Sequence, residues 1–172
     1  LTQRHAWEFE RPEAQYKIGF GGHVDHHEGK AYWHPSDVVM ATAYDTPVVG
    51  WQATWGNTLR LWAAEPAKDF DLESFNRGDY LSAGRSEALA RTISRVLCPD
   101  DTKDSGKELR LKQEYFFTAA SLMDLVRRYL HDHNDIRALP DHVAIQLNDT
   151  HPAIAGPELV RLLVDEHGLQ MD

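Results

Sequence analysis

Cysteine is nearly absent. Cys98 is the single one in a chain of 172 residues, so no disulfide can close within the chain and no CxxC-type zinc framework exists. A reducing compartment, the cytoplasm, is the expected setting. Long apolar runs are missing too. None approaches the roughly 20 residues that a bilayer requires, and no basic stretch leads into an apolar one near Leu1, so neither a membrane span nor a signal peptide is expected. Basic charge is in deficit: 18 Lys plus Arg stand against 27 Asp plus Glu, a formal charge of −9. With no segregated basic face, that balance repels a nucleic-acid backbone. Phosphate-cradling and nucleophile-elbow motifs are lacking as well. There is no GxxxxGK[ST], Gly19-Phe20-Gly21-Gly22 is not followed by a helical pattern, and no GxSxG elbow occurs. Internal repeats and low-complexity tracts are absent.

What remains is one ordinary domain's worth of chain with mixed periodicity. Residues 1–70 read as strands and turns. Tyr16, Ile18 and Phe20 alternate with Lys17 and Gly19, and Gly21-Gly22 breaks the pattern. A short strand is expected at His23–Asp25, a turn at Glu28-Gly29, and further strands at Ala31–Trp33, Val38–Tyr44 and Thr58–Ala63, with Asp45-Thr46-Pro47 stopping the second of these. The whole is expected to be an antiparallel sheet region.

Residues 71–142 read as helical. Asp79 is a plausible N-cap for a helix from Tyr80 that Cys98-Pro99 would end. Its face is lightly apolar, so it is expected to project into solvent or to meet a partner subunit. A loop at Asp100–Gly106 leads to a long helix over Lys107–His131. There Leu109, Phe116, Ala119, Ala120, Met123, Val126 and Leu130 share one stripe, giving a core helix about 37 Å long. Residues 143–172 read as strand (Val143–Leu147), loop and helix (from Pro157 to Gly168), the order of an α/β fold.

Four places could carry chemistry. The first is Leu147-Asn148-Asp149-Thr150-His151-Pro152, a polar cluster at the carboxyl end of the expected strand, where α/β sheets bind ligands. Asp149 and His151 suit sugar hydroxyls or a shared proton; the plainer reading is an Asx-type turn. The second is the loop Asp100-Asp101-Thr102-Lys103-Asp104-Ser105-Gly106, a polar gate or a solvated connection. The third is His23, Asp25, His26 and His27. Three of these would share a strand face, but an exposed tip favours solvation over a metal, and no metal is assigned. The fourth is Arg127-Arg128, which suits phosphate but whose members point about 100° apart on a helix.

Five blocks then fall in register: Asn57–Trp62 (NTLRLW), Phe75–Tyr80 (FNRGDY), Ser94–Asp101 (SRVLCPDD), Gly106–Phe116 (GKELRLKQEYF) and Ile145–Pro152 (IQLNDTHP). Together they resemble the N-terminal half of glycogen and maltodextrin phosphorylases over essentially the whole chain. The resemblance implies an internal part of the N-terminal lobe of a two-lobed, Rossmann-like glycosyltransferase. It implies release of glucose 1-phosphate from an α-1,4-glucan by inorganic phosphate, with pyridoxal phosphate as cofactor, its phosphate acting as acid/base partner of the substrate phosphate. By position, Asp100, Asp101 and Thr102 match the gate loop beside the catalytic site, and Arg110, Asp149 and His151 match residues lining the glucose pocket. Tyr80–Ser94 matches a helix of the homodimer contact.

The resemblance has departures. Animal relatives carry an Asn and two Phe where Thr102, Lys103 and Asp104 stand, so a bacterial-type, unregulated enzyme is the closer match. Arg127 and Arg128 match an allosteric nucleotide-phosphate pair, yet the loop Asp132–Pro140 is short. The cofactor lysine, the substrate-phosphate residues and a catalytic histidine match nothing in this chain, so no catalytic or cofactor-binding residue is assigned and no turnover is expected of the chain alone. The competing expectation is a noncatalytic carbohydrate-binding or subunit-interaction domain.

Overall fold

The computed structural model describes residues 7–170. The chain is mixed α/β, with antiparallel strands early and helices later. It divides into two compact units. The first comprises residues up to Lys17 with Val39–Arg95, and the second comprises Ile18–Val38 with Val96 onward.

β1 (Phe9–Phe20) and β4 (Asp37–Val49), each for most of its length in the first unit, and β5 (Gly56–Pro66) form a three-stranded sheet in the order β1-β4-β5. β4 and β5 pair antiparallel from Val39↔Pro66 to Val49↔Gly56. Ala41, Thr42, Ala43, Tyr44 and Asp45 are buried in succession, and because successive side chains of a strand point to opposite faces, both faces of β4 are covered at its centre. β4 does not stop at Asp45-Thr46-Pro47 but continues to Val49. Proline withholds one N–H but keeps its carbonyl, and Asp45 is a fixed point in the sheet. Its carboxylate accepts from Arg60 Nε at 2.7 Å, Arg60 Nη2 at 2.8 Å and Arg11 Nε at 2.9 Å.

Hydrogen bonding from Arg60, and then from Arg11, holds the Asp45 carboxyl below its ordinary value of 3.8. A carboxyl lowered by folding stabilises the fold fully above that value and ceases to do so as pH falls through the folded one. Asp45→Asn is therefore expected to cost about 1–3 kcal/mol at neutral pH. The gap to the parent should narrow below pH 3.8. Urea denaturation at both pH values checks this; an equal gap would contradict it.

α1 (Leu72–Asn76) and α2 (Tyr80–Ser94) complete the first unit. Asp79 is the N-cap of α2 and accepts from the Ser82 N–H at 3.1 Å, the predicted start. The helix does not stand clear of its unit: one face packs on β5, with Ala83, Ala90 and Ile93 buried, and Ser94 Oγ accepts from the Ala64 N–H at 3.1 Å, while Tyr80 and Leu81 on it stay exposed. It also ends at Ser94 rather than at Cys98-Pro99. The proline biases Cys98 away from helical geometry, and Cys98 takes a left-handed φ of 54°.

The second unit holds β2 (His23–His27) and β3 (Lys30–His34), an antiparallel hairpin. Its turn places Glu28 at φ 52° and Gly29 at φ 77°, the paired left-handed residues that a twisted two-residue hairpin demands. α3 (Asp104–Asp132) is the predicted long helix, extended by one turn at its start, so Asp104, Ser105 and Gly106 are helical and the loop is shorter than expected. Phe116, Ala119, Ala120 and Val126 of the predicted stripe are buried.

After α3 come a 3-10 turn (Ile136–Ala138) and α4 (Leu139–His142). A second 3-10 turn (His151–Ile154) then runs directly into α5 (Ala155–Arg161) and a wider π turn (Leu162–Glu166). The expected strand at Val143–Leu147 is not formed. A strand needs a neighbour for its N–H and C=O groups, no sheet partner is assigned to this one among the described residues, and Ile145 and Leu147 remain exposed. No described helix is long and apolar enough to cross a membrane.

Candidate functional site

Within the second unit, the irregular segment before α3 and the turn before α5 converge on one side chain. Arg110 leaves α3 near its start. Its Nη1 donates to Asp101 Oδ2 at 2.6 Å and its Nη2 donates to His151 Nε2 at 2.8 Å. His151 Nδ1 lies 2.7 Å from Asp149 Oδ2. Asp100 closes an Asx turn by accepting from the Thr102 N–H and hydroxyl, both at 3.0 Å. The structure thus brings Asp101, Arg110, Asp149 and His151 into one chain of contacts, with Asp100 and Thr102 shaping the loop that feeds it.

The tautomer of His151 follows from its neighbours. A guanidinium has only donors, so Nε2 accepts with its lone pair and the ring proton sits on Nδ1, donated to Asp149. Asp149 stays ionised, because the Thr150 N–H and then His151 hold its carboxyl below its ordinary value.

Gly106 sets the spacing. A Cβ there would lie 1.8 Å from the Asp100 carbonyl oxygen, so only glycine lets the first turn of α3 pass this close to the loop. Gly106→Ala is expected to push Asp100–Thr102 outward, break the Asp101–Arg110 pair and cost about 1–3 kcal/mol. Thermal denaturation and a structure of the variant test this; parental stability with the pair intact would count against it.

Beside the chain of contacts lies a cavity of about 270 Å³, edged by Arg110, Glu114 and His151 and floored by Leu97, Phe117 and Pro152. Glu114, which belongs to none of the four places singled out from the sequence, stands with Oε1 4.0 Å from His151 Nε2. Its signal lies in its spacing, since a residue four places after Arg110 on a helix shares its face.

The other candidates stay apart from this site. Arg127 pairs with the buried Asp124 at 3.0 Å, so the Arg127-Arg128 pair is not presented as a single clamp. On the hairpin, His23 stacks on His34 at 5.2 Å, and both have Nε2 near Asp25 Oδ2, at 3.7 and 3.4 Å. His34, across the strands, takes the place expected of His27. Among the described residues no group of three or more His, Cys, Asp or Glu has the arrangement of a metal site.

Comparison with known proteins gives these contacts a family setting. The carbohydrate phosphorylase profile matches residues 1–172. Glycogen phosphorylase of Haemophilus influenzae is 48% identical over 171 residues, 99% of this chain and 21% of the relative. The human muscle form of glycogen phosphorylase is 48% identical over 180 residues, 100% of this chain and 21% of the relative. The sheep (Ovis aries) liver form is 49% identical over 173 residues, 96% of this chain and 20% of the relative. The chain therefore spans about a fifth of the length of these relatives.

Proposed function

This chain belongs to the carbohydrate phosphorylase family, and we propose that it supplies one wall of the sugar pocket of an α-1,4-glucan phosphorylase. Such an enzyme transfers the terminal glucosyl unit of glycogen, starch or maltodextrin to inorganic phosphate and releases glucose 1-phosphate. The observation that carries the reading is the double contact of Arg110, which ties the Asp101 loop to the His151 turn. Asp101, Asp149 and Glu114 offer acceptors to sugar hydroxyls, and the Thr102 hydroxyl, whose proton is given to Asp100, offers another. A neutral polyol meets no repulsion from such a wall.

A phosphate does. The wall carries three carboxylates, Asp101 against Arg110 and Asp149 and Glu114 against His151, and its one guanidinium is already engaged, so these residues do not fit pyridoxal phosphate or the attacking phosphate. Lys107 and Lys112, the lysines flanking Arg110, pair with Asp104 and Glu108. The cofactor and phosphate contacts are assigned instead to the rest of a full-length enzyme. Its fold would be two-lobed and Rossmann-like, with Val143–Leu147 joining a sheet. α2 would take part in a cytoplasmic homodimer through its outer face, where Leu81 is 89% exposed.

Two measurements on the chain test this reading. Calorimetric titration with maltoheptaose is expected to show binding weaker than about 1 mM, because half of the pocket is missing, and incubation with glucan and phosphate is expected to yield no glucose 1-phosphate. Tight binding would favour the noncatalytic carbohydrate-binding domain, and product formed by these residues alone would refute the half-site.

A further inference from the structure

α3 and α5 meet along a face that is apolar at one end and charged beside it. Leu122 packs with Ala155 and Leu162, flanked by Met123 and Leu159. On the same face of α5 stands Glu158, only 3% exposed. Its two oxygens accept from Arg161 Nε and Nη2, each at 2.8 Å. Oε2 also accepts from the Tyr115 hydroxyl of α3 at 3.2 Å. Arg161 donates onward to Glu166 at 2.9 Å and lies 5.8 Å above the Trp33 ring. Tyr115 meets Phe20 and Trp33 edge-on.

Stability alone does not account for this cluster. Burying a carboxylate and a guanidinium costs desolvation that their attraction scarcely recovers, and apolar side chains of similar volume would hold two helices together as well. A directional network does what an apolar contact cannot: it selects one rotation and one register of α5 on α3. That choice matters at the site. Arg110 lies five residues before Tyr115 on α3, and α5 continues without a break from the turn that begins at His151.

We propose that Glu158, held by Tyr115 and Arg161, is a positioning residue that sets α5 on α3 so that His151 Nε2 reaches Arg110. Its bearing on sugar binding rests on the sugar-wall reading; the geometric inference does not.

The test uses the 172-residue chain and the ring-nitrogen resonances of His151, which separate widely when one nitrogen is protonated and the other bare. Tyr115→Phe removes one hydroxyl and keeps the ring; Glu158→Gln removes the charge at constant volume; Leu122→Ala loosens the same interface without touching a polar group. The expected result is that Y115F and E158Q draw the two His151 resonances toward the average of an imidazole exchanging between tautomers. L122A should leave them apart even though it lowers thermal stability. Unchanged His151 resonances in the folded Y115F chain would overturn the proposal, as would an equal response to L122A. Should E158Q fail to fold, Y115F decides. Maltoheptaose binding by the parent forms a separate arm: tight binding counts against the half-site reading, while the His151 response still decides the positioning role.

Discussion

Phe116→Ala is expected to remove about 3–5 kcal/mol from the stability of the second unit. Phe116 is 0% exposed and sits midway along α3 among the buried Ala119, Ala120 and Gln113. The helix backbone fixes the two alanines and Gln113 is tied to the Val96 carbonyl at 2.7 Å, so they do not close over the void, and the cavity cost adds to the lost transfer energy. Urea denaturation followed by helical circular dichroism measures the loss. A change below about 1 kcal/mol would mean that the site collapses readily and that Phe116 is not central to this core.

Arg110→Met is expected to lower kcat/KM of the full-length phosphorylase proposed above about 100-fold. The variant keeps the stem of the side chain and removes both contacts that hold the Asp101 loop and the His151 turn together. Arg110→Lys should recover only part of the loss, because an ammonium lacks the planar fork that serves two partners at fixed angles. Initial rates of glucose 1-phosphate release measure both variants. A kcat/KM for Arg110→Met within about twofold of the parent would show that the wall stands without this residue.

Much of the fold is legible in the sequence because it is written locally. The stripe containing Phe116, Ala119 and Val126 defines α3, Asp79 defines the start of α2, and Glu28-Gly29 defines the hairpin turn. Other features depend on contacts that no local pattern records. The run Val143–Leu147 has the composition of a strand, but a strand exists only where another lies beside it. α2 reads as too polar to be covered, yet three small or branched residues, Ala83, Ala90 and Ile93, suffice to seat it on β5.

The site divides the same way. The Asp149–His151 turn stands out as a polar cluster after an apolar run. Arg110 has no local signature and is matched only by resemblance. Glu158 and Arg161 are not among the places singled out from the sequence, and only the folded chain reveals that the carboxylate is buried against Tyr115.

The functional reading depends on the loop at Asp100–Thr102 and the turn at Asp149–His151 forming one sugar-binding wall joined by Arg110. Titrating the isotope-labelled chain with maltoheptaose, while following its backbone and side-chain resonances, probes that wall without intermediaries. Both segments and the Arg110 guanidinium are expected to shift together along a single weak binding curve. Shifts confined to one segment, or found only at remote aromatics such as Trp51 and Trp55, would contradict it.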